Sequence, residues 1–213
     1  LDEKVMIDKF IYVHILKTAG TTLKHAIFER YYKGKYLYDQ TFKLIHNPNV
    51  INPPHPLIIE NQKYPKGYKK YNVFFGHFKY DKYEHLNLPM FSFVRHPVNR
   101  IISQYYYHKV LYEKMGKHLS LIEFCEQWPN HMTDVLGDPS KYEFVGVVEQ
   151  FKKSLNMMCD KLGVVRVGSI LKRRVDKDDM MGKTSNKIKK QIENINSIDM
   201  ELHEKILNRI RGK

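Results

Sequence analysis

A run of apolar, strand-forming residues, Phe10-Ile11-Tyr12-Val13-His14-Ile15, breaks into Lys17-Thr18-Ala19-Gly20-Thr21-Thr22 and then opens an amphipathic segment at Leu23. Strand, tight small-residue loop and helix in that order make an anion cradle. The backbone N–H groups of such a loop point inward and the helix N-terminus adds partial positive charge. Lys17 supplies a full charge, so a phosphate-like group is the natural occupant. His14, within the strand, is expected to orient the loop through a hydrogen bond.

In the ordinary P-loop the lysine follows the glycines and precedes a Ser or Thr that holds magnesium. Here Lys17 precedes Gly20, which suggests a relative of P-loop enzymes with different chemistry. The order resembles the 5′-phosphosulfate loop of sulfotransferases, in particular the carbohydrate branch: the heparan sulfate 2-O- and 6-O-like enzymes and the bacterial glycan enzymes. It departs from them at Leu16, where relatives usually carry Pro. The resemblance implies the co-substrate 3′-phosphoadenosine-5′-phosphosulfate (PAPS), held by Lys17, Thr18, Ala19, Gly20, Thr21 and Thr22.

Further on, Pro89-Met90-Phe91-Ser92-Phe93-Val94-Arg95 reads as a buried strand ending in a cation. A helix follows from Pro97, a residue that fits a first helical turn because its missing N–H costs nothing there. Ile101, Ile102, Tyr105 and His108 give this helix one buried stripe, and Ser103 lies about two turns in, where it can converge with Arg95 on one anion. The pair is similar to the 3′-phosphate motif of sulfotransferases, followed in glycan enzymes by a tyrosine-rich run, here Tyr105-Tyr106-Tyr107.

Between the two motifs, Val73-Phe74-Phe75-Gly76-His77 reads as a short strand ending in Gly-His. Attack by a hydroxyl needs a base, and imidazole suits neutral pH. Ligands of α/β sheets gather beyond the carboxyl ends of strands, which places His77 toward the same crevice as Arg95. The Gly-His pair resembles the segment that carries the catalytic base in bacterial and glycan sulfotransferases. His85 is the nearest competitor among the 11 histidines, and His96 reads as a local helix-start residue. By the same resemblance Lys17 meets the charge that grows on the leaving 5′-phosphate. A sulfuryl group carries less charge than a phosphoryl group, so cations and N–H groups can suffice without metal. No H-E-x-x-H, C-x-x-C or Asp-rich loop reads as a metal site.

Alternating strands and helices argue for an α/β fold, a P-loop-NTPase-like three-layer arrangement with a central parallel sheet flanked by helices. Strands are expected at 10–15, 73–76, 91–95 and 143–149, and helices at 22–32, from Pro97, at 119–128, 151–162 and 200–210. At 213 residues the chain fits one domain. Within it, 1–9 reads as an N-terminal extension and 34–70 as an acceptor-side loop region broken by Asn52-Pro53-Pro54-His55-Pro56. The region 172–213 reads as a basic C-terminal region, where Lys183 is a weak candidate to close over the nucleotide. Glu149 is expected to cap or flank a helix.

A formal net charge of +13 calls for an anionic ligand, an acidic polymer or a membrane surface. The nucleotide co-substrate uses part of that field, and a glycan or other hydroxyl acceptor, if anionic, uses more. No window is apolar enough to span a membrane, so the chain reads as soluble. Cys125 and Cys159 pair only if the fold joins them, and buried free thiols are the default. With no N-x-[ST] sequon, this favours a cytoplasmic enzyme, while the animal relatives' upstream anchor would place the chain in the Golgi lumen. Two other classes compete. A P-loop-like kinase would turn over ATP with metal. A basic nucleic-acid-binding module would bind with steep salt dependence, but no motif for it is present, so no nucleic acid is expected.

Overall fold

The computed structural model describes residues 5–40, 64–114, 118–167 and 182–212. Five strands form one sheet: β1 (Phe10–Val13), β2 (Tyr36–Gln40), β3 (Val73–His77), β4 (Met90–Val94) and β5 (Phe144–Val147). Their order is β2-β3-β1-β4-β5, with every neighbouring pair parallel. Every residue of β1, β3 and β4 is buried, as continuous apolar runs demand when helices cover both faces of a parallel sheet. Because β1 lies between β3 and β4, the segments that follow these three strands emerge side by side at the carboxyl edge.

Helix α1 covers residues 20–31 and passes through a π-helical stretch, Lys24–Phe28. It is followed in chain order by α2 (Pro97–Lys114), α3 (Leu121–Glu126), α4 (His131–Leu136), α5 (Phe151–Leu162), α6 (Asn186–Ile195) and α7 (Ser197–Arg211). The main core centres on β1, with Phe10, Tyr12, Phe28, Tyr32, Phe75 and Phe91 in mutual ring contact. A second core joins α2, α3 and α6 through Ile101, Ile102, Phe124, Trp128 and Ile192.

Several expectations shift. Residues 36–40, assigned to the 34–70 loop region, are the edge strand β2, paired with β3 from Tyr36↔Val73 to Gln40↔His77. Its Asp39 hid the pattern, because a strand normally disfavours Asp. The remainder of that region, 41–63, with the Asn52–Pro56 breaker, lies outside the described residues, as do 1–4 and 168–181. The first strand stops at Val13 rather than Ile15, and the strand sought at 143–149 is β5, followed by a 3₁₀ turn at Val148–Gln150. From 182 the basic C-terminal region forms α6 and α7, whose Ile192, Leu202, Ile206 and Ile210 are buried in the two cores. Ile7, in the N-terminal extension, is tied down by its N–H to the Leu162 carbonyl.

Both cysteines are free and buried in different places, Cys159 on α5 and Cys125 on α3. Asn196 donates its side-chain amide to the Cys125 Sγ.

Candidate active site

The loop after β1 has an unusual backbone. Lys17 and Ala19 both adopt left-handed conformations, with φ of 69° and 65°. Such conformations cost residues with a Cβ about 1–2 kcal/mol, and they persist only where the surroundings hold them. Three bonds do so here. The Thr18 Oγ1 donates to the Ile15 carbonyl at 2.7 Å, the Ser92 Oγ of β4 donates to the Val13 carbonyl at 2.7 Å, and the His14 N–H donates to the Gly76 carbonyl at 2.8 Å. The result aims the first turn of α1 out of the loop. The first N–H groups of a helix have no partner within it, and the N-cap residue Ala19 offers no side-chain acceptor.

His14 shapes the loop by packing rather than by the expected hydrogen bond. Neither ring nitrogen has a hydrogen-bond partner among the described residues. Its ring stacks on Phe75 and on His77, with centroids 5.3 and 4.2 Å away. Its edge lies against Gly20 so closely that a Cβ there would fall 1.9 Å from Nε2. Burial, then the neighbouring His77 and Lys17, hold this imidazole neutral, well below its ordinary pKa.

His77 closes β3 and is buried. Its Nδ1 lies 2.8 Å from the His14 carbonyl. Burial lowers its pKa to about 4, against a smaller upward effect of that hydrogen bond. His85, the competing histidine, is exposed on the 3₁₀ segment Tyr80–Leu86, where it meets the hydroxyls of Tyr64 and Tyr68.

Arg95, just past β4, directs Nη1 toward the Lys17 carbonyl at 3.4 Å. Ser103 is buried on α2, and Tyr107, one turn further on the same face, places its ring 4.3 Å from the Lys17 Nζ. The second motif thus meets the first twice, through the Lys17 backbone and through its ammonium. His108 lies near enough that Lys17, after burial, adds to the lowering of its pKa to about 4.

Lys183 is exposed in the turn before α6, a helix that packs on α2 through its isoleucines. Arg173, Arg174 and Lys177 lie outside the described residues.

Other polar groups behind the site had no clear sequence signal. Asp39 of β2 forms a buried ion pair with Lys82 at 2.6 Å and accepts from the Tyr83 hydroxyl at 2.7 Å. Arg100 is fully buried and donates Nη1 to the Gln104 Oε1 at 2.7 Å. Glu149 does cap a helix, but not its own: it accepts the His96 N–H at the start of α2 and pairs with His203 of α7. His96 is therefore a helix-start residue, as its position suggested.

Residues 7–135, more than half of the chain, match the model of the sulfotransferase family. The chain belongs to the sulfotransferase family. Both motifs, His77 and the whole of α2 fall within the matched stretch. The fold of this sulfotransferase is also similar to the crystal structure of mouse sulfotransferase SULT7A1 complexed with PAP, with a TM-score of 0.53 and 13% identity. That likeness covers 93% of this chain and 86% of the mouse chain. No curated protein matches the sequence. Among the described residues of this sulfotransferase, no cluster of three or more His, Cys, Asp or Glu could hold a metal ion, and no helix is long and apolar enough to cross a membrane.

Proposed function

We propose that this sulfotransferase moves a sulfuryl group from PAPS to a hydroxyl of a carbohydrate acceptor. The observation that carries the reading is the meeting of the two motifs at Lys17, whose carbonyl faces Arg95 and whose ammonium faces the Ser103–Tyr107 side of α2. A nucleotide with one phosphate at each end of its ribose fits two cationic sites so joined. The similarity to a PAP-bound sulfotransferase fold supports the same donor.

In this reading the 5′-phosphosulfate lies on the N–H groups of residues 18–22, while Arg95 and Ser103 hold the 3′-phosphate. His77 takes the proton of the acceptor hydroxyl at Nε2. The oxygen attacks sulfur in line with the bridging oxygen, the bond from sulfur to that oxygen breaks, and Lys17 meets the charge left on the 5′-phosphate. Lys183 is the candidate cation of the C-terminal region to close over the donor. The carbohydrate acceptor rests on the Gly-His and tyrosine-run resemblance and on the exposed Tyr107 ring beside Lys17, which offers an apolar face to a sugar. One sheet organises all of these groups, so we read 1–213 as a single domain.

Incubation with PAPS and a panel of neutral and anionic glycans, with sulfate incorporation as the readout, tests the reading. Transfer without added magnesium, and thermal stabilisation by 3′-phosphoadenosine-5′-phosphate, are expected. Magnesium-dependent ATP turnover with no response to that nucleotide would overturn it.

A further inference from the structure

The edge of the sheet opposite the active site carries a patch that sulfuryl transfer does not use. Lys9 and Lys35 immediately precede β1 and β2, and Lys69 and Lys70 lie just before β3. Backbone bonds from the Phe10 N–H to the Asn72 carbonyl and from the Asn72 N–H to the Lys35 carbonyl draw these lead-in segments together. Lys33 and Lys66 flank them, and all six lysines are exposed. None of the six forms an ion pair with a described residue.

The acids of the same edge do not cancel this charge. Glu84, Glu143 and Asp160 are each taken by another cation, Lys141, Lys161 and Arg166. Asp8, beside Lys9, and Asp138, before β5 and bonded to Ser140, are the exposed carboxylates left there.

Apolar side chains project at the same edge. Ile7 bonds to the end of α5, and Val5 and Met6 beside it are 88% and 38% exposed. Val165, held by the Tyr31 hydroxyl on its carbonyl, is 71% exposed. Gly163 lets the Val5 backbone lie against the end of α5, since a Cβ there would fall 2.6 Å from the Val5 carbonyl oxygen. Exposed aliphatic residues on the same edge as these lysines fit an interface with an apolar interior and an anionic rim. A soluble polyanion would use the lysines and leave Val5, Met6 and Val165 in water.

We propose that this edge docks on an anionic lipid bilayer, the lysines meeting lipid phosphate and carboxylate groups and Val5, Met6 and Val165 entering the headgroup layer. The carboxyl edge, with Lys17, His77 and Arg95, then faces away from the membrane and stays open to substrate. The inference is independent of which acceptor the enzyme uses.

The test is co-sedimentation of the full chain with vesicles of phosphatidylcholine alone, and of three parts phosphatidylcholine to one part phosphatidylserine, at low and high salt. Binding to the mixed vesicles alone, weakened by salt, is expected. Each lysine near an anionic surface contributes about fivefold in affinity, so the triple variant Lys35→Glu, Lys69→Glu, Lys70→Glu should bind at least about 100-fold more weakly. Val165→Asp should weaken vesicle binding while leaving binding to a soluble sulfated polysaccharide unchanged. All four substituted side chains are exposed, and an unchanged melting temperature checks that each variant folds. No sedimentation of the wild-type chain, or equal sedimentation of the triple variant, overturns the proposal. So does an unaltered Val165→Asp, which would assign the lysines to a soluble polyanion.

Discussion

The Nδ1 of His77 sits 2.8 Å from the carbonyl oxygen of His14, and a carbonyl can only accept a hydrogen bond. The neutral ring therefore carries its proton on Nδ1 and its lone pair on Nε2. A base needs that tautomer fixed before substrate arrives, and here the fixing partner is the first residue of the loop after β1. His77 and the loop after β1 are thus parts of one backbone unit, further locked by the stacking of the His14 and His77 rings.

His77→Ala should cut turnover by about 10²–10⁴-fold, the usual contribution of a positioned general base, while affinity for 3′-phosphoadenosine-5′-phosphate stays near wild type. His85→Ala removes only a surface ring beside Tyr64 and Tyr68, and should leave turnover unchanged. Parallel calorimetry and sulfate-transfer assays decide the matter. A dead His85 variant beside an active His77 variant would reassign the base.

The pH profile follows from burial. With its pKa lowered to about 4, His77 of the free enzyme is neutral across the neutral range, so kcat/KM should rise with pH through about 4 and then level off. Bound donor places negative charge beside the ring and favours imidazolium, so the inflection in kcat should lie at higher pH than that in kcat/KM. Stability has its own window. An unfolded histidine binds a proton below about 6.5, whereas buried His77 refuses one until about 4, so stability should fall as pH drops between those values. His14, His108 and His131, also lowered by burial, act in the same direction. Urea midpoints measured across this range test the slope.

Arg95→Ala should weaken PAPS and its desulfated product alike, by about 1.5–3 kcal/mol for a charge-assisted contact, since both carry the 3′-phosphate. Lys17→Ala should behave differently. In the proposed mechanism its charge matters most as the sulfur–oxygen bond breaks, so turnover should drop more than product-nucleotide affinity. Equal losses in both quantities would make Lys17 a simple holding group.

How far the sequence carried depends on the range of each signal. Strands β1, β3 and β4 are legible because strands buried on both faces must be apolar throughout, and the motif residues are legible because each motif is contiguous. What joins the motifs is not. The His77–His14 bond spans 63 residues, and the approach of Tyr107 to Lys17 depends on how α2 crosses the loop. Strand β2 escaped notice because its Asp39 is stabilised by Lys82, a partner on a 3₁₀ segment after the following strand. Glu149 flanks α5 as its position suggests, but the N–H it caps, that of His96 before α2, lies 53 residues away in the chain.

Gly20→Ala offers a sharp steric test of the cradle. The added methyl would meet His14 at 1.9 Å, and His14 cannot withdraw, because His77 and Phe75 stack against it. Overpacking of this kind costs about 1–3 kcal/mol, and here it should also push the loop out of register and abolish nucleotide binding. At Gly34 an added Cβ meets nothing within 4 Å, so Gly34→Ala should carry only the strain of its positive φ and leave binding intact. Thermal shift with and without product nucleotide separates the two.

The last expectation concerns Asp39 and Lys82, whose side chains are 3% and 0% exposed. Asp39 is paired in register with Gly76, the residue before His77, so the ion pair lies beside the strand that carries His77. Asp39→Ala would take the carboxylate away from a buried ammonium and from the Tyr83 hydroxyl, at a cost of about 3–5 kcal/mol. Removing both charges with Asp39→Ala and Lys82→Met should recover much of that loss, since no uncompensated ion then remains. Chemical denaturation of the two single variants and the double variant measures the coupling. A double variant that loses the full sum of the single losses would show that the two side chains act independently, contrary to their 2.6 Å contact.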